Sequence, residues 1–199
     1  MPSVTLVLGG SRSGKSAFAE SLALERRDVG GVCYVATADA RDGDMAARID
    51  FHRSRRPAEW STWEKDPASL ADEMERLTRS NGVLLLDCLT MFLTRLALAS
   101  PAFEGGDGSL WRAEEERILD MVSGIFSNFS RAAAGTEKRL IAVSGEVGCG
   151  VIPAYRTGRR FADLQGRANQ RAAEMSDEAA LLSAGIPLWL KRGERGAGS

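Results

Sequence analysis

The sequence is poor in the side chains that carry metal and acid–base chemistry, with a single histidine, His52, among 199 residues. One histidine and three scattered cysteines cannot supply the closely spaced nitrogen and sulfur ligands of a zinc centre. Cys33, Cys88 and Cys149 are odd in number and lack paired spacing, which argues against a disulfide framework and against dithiol redox chemistry. They read as buried or incidental thiols in a reducing compartment. An excess of charge is also missing: 26 basic and 27 acidic residues leave a net charge of −1. Nothing in that balance pulls the whole chain toward nucleic acid or an anionic membrane. Long apolar runs are lacking too, since VLLLDCLTMFLTRLALA is interrupted by Asp87, Arg95 and two threonines. No membrane span is expected, the start MPSVTLVLGG has no signal-peptide character, and a cytoplasmic location follows as the expectation.

What is present has the size of one α/β domain. Residues 1–191 are expected to form a single nucleotide-binding catalytic domain, and 192–199 a disordered Gly/Arg tail. Short β-rich runs alternate with helical stretches. VTLVL, VCYVAT, VLLLD and RLIAVS read as buried strands, and AALLS and PLWLK as a final strand pair. Helices are expected after the first strand, over 42–56, from about Pro67, after Asp87, from Ser109 and over TGRRFADLQGRANQRAAEMS. Ser100 to Ser109 reads as a loop. The alternation implies a mainly parallel sheet with helices on its faces.

The strongest local signal is GGSRSGKS, in which Gly9, Gly10, Ser11, Arg12, Ser13, Gly14, Lys15 and Ser16 fit the phosphate-loop pattern G-x-x-x-x-G-K-[ST]. It sits between a strand and a helix, the setting the motif requires. Its backbone N–H groups and the positive helix end suit phosphate oxygens. Lys15 suits the β- and γ-phosphates, and the Ser16 hydroxyl suits Mg²⁺. Asp87, closing VLLLD, is placed to be the acidic partner of that Mg²⁺, or to cap the helix that follows. These features imply a nucleoside triphosphate ligand. They leave open a small-molecule kinase, a nucleotidyltransferase, an ATPase motor or a GTPase switch, although the GTPase base motif N/T-K-x-D is absent.

His52 lies in RIDFHRSRRPAEW, crowded by Arg48, Arg53, Arg55 and Arg56. By composition alone this is a basic helix end. Together with other segments it carries more. GGSRSGKS, YVATA, DMAARIDFHRSRRPAEW, LLLDCLT, SGEVGCGVIP and YRTGRRFADLQGRANQRAAEMSDEA, in this order from about Thr5 to Lys191, resemble the bifunctional adenosylcobinamide kinase/adenosylcobinamide-phosphate guanylyltransferases of cobalamin biosynthesis. The resemblance implies a RecA-like P-loop fold with a C-terminal antiparallel pair, and assembly as a homotrimer. It implies phosphorylation of adenosylcobinamide with ATP or GTP. Transfer of GMP from GTP to adenosylcobinamide phosphate would follow through a GMP-histidine intermediate. His52 is the matching histidine, and Phe51 stands where some relatives carry a second one. The likeness also assigns nucleotide contacts to Gly9–Ser16, to Ala36, Thr37 and Ala38, to Arg53, Ser54, Arg55 and Arg56, and to Glu64 and Asp87.

The chemistry is coherent with those assignments. Neutral imidazole can attack a phosphorus atom, and nearby guanidinium groups disfavour imidazolium. Other roles stay open at this level. Glu146 suits either a base for the kinase step or a cap. Trp60 and Trp63 suit ring stacking or the core. Arg156, Arg159, Arg160 and Asn169 suit nucleotide, corrinoid or a neighbouring subunit. A regulatory P-loop NTPase acting on a protein or nucleic acid, and a kinase without guanylyl transfer, are the competing functions.

Overall fold

The computed structural model describes residues 1, 3–25, 29–39, 53–54, 56–105 and 108–192. Seven strands form one sheet: β1 (Ser3–Gly9), β2 (Val32–Ala36), β3 (Ser61–Trp63), β4 (Val83–Asp87), β5 (Arg139–Gly145), β6 (Glu178–Ser183) and β7 (Ile186–Lys191). Their order across the sheet is β3-β2-β4-β5-β1-β6-β7. Every neighbouring pair is parallel except β6 and β7, which form an antiparallel hairpin. The mainly parallel sheet and its closing antiparallel pair are therefore as expected from the sequence.

The central strands are apolar on both faces because helices cover both. In β4, Leu84 and Leu86 enter one layer while Val83 and Leu85 enter the other, as the two-residue strand period requires. The first layer lies under α2 (Leu70–Ser80), α3 (Leu89–Ala99), α4 (Gly108–Ala132) and α5 (Arg156–Glu174). The second lies under α1 (Lys15–Leu24), whose Ala19 and Ala23 are fully buried. Helix α4 buries Trp111, Glu115, Ile118, Leu119, Val122, Ile125, Phe126 and Phe129, a helical spacing that keeps one stripe on the core. Among the described residues no helix is long and apolar enough to cross a membrane.

Three local expectations are corrected or sharpened. The 100–109 stretch is not all loop: Pro101–Glu104 forms one helical turn, with proline at a position where its missing N–H costs nothing. Strand β3 is not anticipated by the sequence, because three residues at a sheet edge carry no readable period. Trp60 and Trp63 are both buried core residues, one in each layer. Of the helix expected over 42–56, only Arg53, Ser54 and Arg56 are described, and Arg53 and Ser54 are helical. Residues 40–52, with His52, as well as Arg55 and the 193–199 tail, lie outside the described residues.

Candidate active site

The parallel strands β1, β2, β4 and β5 all end on one edge of the sheet, at Gly9, Ala36, Asp87 and Gly145. Loops at this edge of an open α/β sheet are where ligands bind. The phosphate loop leaves β1 here. Ser13 N–H donates to the Gly10 carbonyl at 3.3 Å, and the Gly14 carbonyl accepts from Phe18 to begin α1. Gly14 has φ +92° and Arg12 φ +55°, the left-handed values that curl the backbone between strand and helix. Gly9 is glycine for space instead. A Cβ there would lie 2.4 Å from Ser13 Oγ and 2.9 Å from the Leu182 carbonyl oxygen.

The N-terminus of α1 has no side-chain cap and no acidic residue in its first turn. Its N–H groups and positive dipole end thus remain directed at the loop, where an anion would satisfy them. Lys15 Nζ donates to the Gly10 carbonyl at 3.0 Å, which keeps the ammonium over the loop. Ser11, Arg12 and Gly14 are exposed, and Lys15 and Ser16 are half-buried. The hairpin between β6 and β7 braces the loop from behind. Gly185 N–H donates to the Ser13 carbonyl at 2.9 Å.

Asp87 ends β4 two strands away, with β5 between. Tyr34, on β2, donates its hydroxyl to Asp87 Oδ2 at 2.6 Å. Burial pushes the Tyr34 phenol far above its ordinary range, and the Asp87 carboxylate adds to the shift. Thr37 ties the end of β2 to the residue after Asp87. Its hydroxyl donates to the Cys88 carbonyl at 2.7 Å and accepts from the Cys88 N–H at 2.9 Å. Thr37 is fully buried, so its side chain is committed to the scaffold, while Ala38 beside it is half-buried. The Cys88 thiol is pushed up to about 12 by burial first and by Asp87 next, with Lys15 opposing. A thiol so shifted stays protonated and is no nucleophile.

The arginine segment meets this edge from the β3 side. Arg53 Nη2 pairs with Glu64 Oε2 at 2.9 Å on the surface. The Arg56 guanidinium lies over the Tyr34 ring, 3.4 Å from its centroid. Arg53, Arg56, Glu64 and Asp87 are therefore linked in pairs, Arg56 to Asp87 through Tyr34. Ser54 is exposed. Tyr34 is not singled out by sequence reasoning; its one signal is a polar-headed residue two places before the end of an apolar strand.

The remaining polar positions are structural in their contacts. Arg160 Nη1 donates to the carbonyls of Ala102, Phe103 and Gly105, at 2.7, 2.9 and 3.3 Å. Arg156 donates to the Glu104 carbonyl and Arg159 to those of Pro153 and Ala154. Asn169 donates to the Gly145 carbonyl at 3.0 Å and accepts from Ser144 at 2.6 Å and Gln165 at 3.0 Å. Thr90 Oγ1 accepts from the Gly145 N–H at 2.6 Å. Glu146 caps the Gly148 N–H, and its own N–H donates to the Gly9 carbonyl at 3.0 Å. The loop after β5 is thus fastened to the phosphate loop. It exposes Val147, Val151, Ile152 and Tyr155.

Comparison with known proteins agrees with this geometry. Two solved structures, a nucleotide-hydrolysing (ATPase) domain and the flagellar accessory protein FlaH from Methanocaldococcus jannaschii, superpose with a TM-score of 0.51 each. They are 13% and 15% identical, and the matches cover 96% of this chain and 78% and 79% of theirs, a likeness of fold. Sequence relatives are nearer. The bifunctional adenosylcobalamin biosynthesis protein CobP of Pseudomonas aeruginosa is 39% identical over 186 residues, 94% of this chain and 96% of its own. The protein CobU of Escherichia coli, with the same description, is 35% identical over 94% of this chain and 98% of its own. The profile of the family described as cobinamide kinase / cobinamide phosphate guanyltransferase matches residues 5–190. By its sheet, its phosphate loop and a match along nearly its whole length, the chain belongs to the cobinamide kinase / cobinamide phosphate guanyltransferase family.

Proposed function

We propose that the chain catalyses two successive transfers on one corrinoid: phosphorylation of the adenosylcobinamide hydroxyl by ATP or GTP, then attachment of GMP from GTP. The observation that carries the reading is the uncapped, acid-free start of α1 beneath Lys15, on the same sheet edge as Asp87, in a chain matched by this family over residues 5–190. A regulatory NTPase or a kinase alone fits less well, because the relatives are named as bifunctional.

In the first transfer the acceptor hydroxyl oxygen attacks the γ-phosphorus and gives up its proton to solvent, the bond from the γ-phosphorus to the bridging oxygen breaks, and the nucleoside diphosphate leaves. Loop N–H groups and Lys15 orient the triphosphate and balance its charge. In the second, a neutral His52 nitrogen attacks the α-phosphorus of GTP and pyrophosphate leaves. A phosphate oxygen of the acceptor then attacks the same phosphorus, the P–N bond breaks, and adenosylcobinamide-GDP is released with free His52. The guanidinium groups of Arg53, Arg55 and Arg56 suit the departing pyrophosphate.

Ser16 and Asp87 are the residues that would hold Mg²⁺. They offer hard oxygens, and of the two Asp87 oxygens only Oδ2 accepts a side-chain hydrogen bond among the described residues. When bound, Mg²⁺ neutralises charge on the triphosphate. Nucleotide contacts are assigned to Gly9–Ser16, Ala36–Ala38, Arg53–Arg56, Glu64 and Asp87. Residues 1–191 act as one catalytic domain, in a homotrimer in the cytoplasm.

The test is covalent labelling with α-labelled GTP. The wild-type protein should take up an acid-labile, base-stable label. His52→Ala should lose the label yet still bind nucleotide at the phosphate loop. A wild-type protein that stays unlabelled with GTP and Mg²⁺ refutes the guanylyl-transfer half.

A further inference from the structure

Tyr34 touches both parts of the site that the two transfers use. The residue is 2% exposed, on the same sheet face as Leu85 and beneath α1. One side of the ring carries the Arg56 guanidinium at 3.4 Å, and the hydroxyl reaches Asp87 at 2.6 Å. The strand register accounts for the reach. Tyr34 pairs with Leu85 and Ala36 with Asp87, so Tyr34 leans two places along β4 toward its end. Packing alone would be served by phenylalanine here. The phenol supplies a charge-assisted hydrogen bond to a carboxylate that has no other side-chain donor among the described residues.

We propose that Tyr34 is a positioning residue with two separable duties, its ring seating the Arg56 guanidinium and its hydroxyl aiming the Asp87 carboxylate toward the nucleotide-bound cation. The inference rests on the assignment of Arg56 and Asp87 to the nucleotide and its cation above. A planar guanidinium on an aromatic face has a defined plane and height, so the ring fixes where the Arg56 charge meets the nucleotide. A carboxylate held at one oxygen presents the other in a set direction. Without the hydroxyl it rotates, and without the ring Arg56 loses its seat.

Two variants separate the duties. Tyr34→Phe keeps the ring and removes the hydroxyl. Its half-saturating Mn²⁺, counted by electron paramagnetic resonance in a titration of the enzyme with GDP, should rise about fivefold, the scale of the net contribution of one hydrogen bond. At saturating Mg²⁺ its rate of labelling by α-labelled GTP should stay within about twofold of wild type, because the stack survives. Tyr34→Leu removes both, and its labelling rate at saturating Mg²⁺ should fall about tenfold, between the exposed and desolvated limits of a cation–π contact. Mn²⁺ binding to Tyr34→Phe that is unchanged or tighter overturns the hydroxyl duty even if Tyr34→Leu does not fold. A Tyr34→Phe labelling rate as low as that of Tyr34→Leu overturns the division between ring and hydroxyl. Wild-type labelling is the control: if it is absent the function itself fails, and if it is present with unaltered variants only the role of Tyr34 fails.

Discussion

Asn169→Leu removes the centre of a buried polar network while keeping the same number and branching of side-chain heavy atoms. Asn169 is 7% exposed, and Ser144 and Gln165 are fully buried. Its amide gives one hydrogen bond to the Gly145 carbonyl and takes two, from Ser144 and Gln165. After substitution Gly145 loses that donor and the Ser144 hydroxyl loses its acceptor. Each orphaned buried group costs about 1–3 kcal/mol. Gln165 can recover part of this, since its Oε1 has no partner among the described residues and its Nε2 already reaches Ser144 Oγ at 3.0 Å. The net destabilisation should be about 3 kcal/mol, a fall in Tm of roughly 6–12 °C for a chain of this size. Urea unfolding of the single variant measures it. The double variant Asn169→Leu/Gln165→Leu should lose less than the sum of the singles by about 1 kcal/mol or more, because the second change removes groups already orphaned. A single-variant loss below about 0.5 kcal/mol, or strict additivity, would refute the claim that these side chains act as one network.

Two further outcomes are expected. Gly14→Ala places a Cβ at φ +92° and 3.1 Å from the Gly185 Cα, so nucleotide affinity should fall about tenfold or more from the left-handed strain alone; a fluorescent-nucleotide titration equal to wild type would contradict the loop geometry. Glu115 is held above the ordinary glutamate range, by burial first, with the Arg167 ion pair at 2.9 Å opposing. A raised acid pKa means that the folded state holds its proton more tightly, so this group lowers stability as pH rises from the unfolded value through the folded one, and spares it below the unfolded value. Glu115→Gln should therefore gain most relative to wild type near neutral pH and lose that advantage on acidification, as followed by thermal unfolding across the acid range.

The features legible in the sequence are those written in local pattern. VTLVL and VLLLD are short apolar runs bounded by turn signals, and both are central strands. The phosphate loop is legible because its work is done by backbone, so glycine spacing alone announces it. Asp87 follows from its place at the end of an apolar strand. What escapes depends on distant partners. Asn169 and Arg160 sit on a polar helix and look alike in sequence, yet one closes a buried network and the other gathers three carbonyls from a turn far away in the chain. Tyr34 reads as a strand aromatic until β2 and β4 are paired and Arg56 is laid over its ring. The Pro101–Glu104 turn is hidden because a first-turn proline looks like a breaker.

The brace behind the phosphate loop also sets an order of events in synthesis. Strand β1 finds its neighbours only in β5 and β6, and Val4 bonds to Asp177, 173 positions away. The carbonyl of Ser13 waits for Gly185, farther along still. An anion-binding loop that emerges early from the ribosome thus acquires its rigid frame only when the hairpin arrives. Nascent chains that stop short of that hairpin carry the full motif without the support that shapes it.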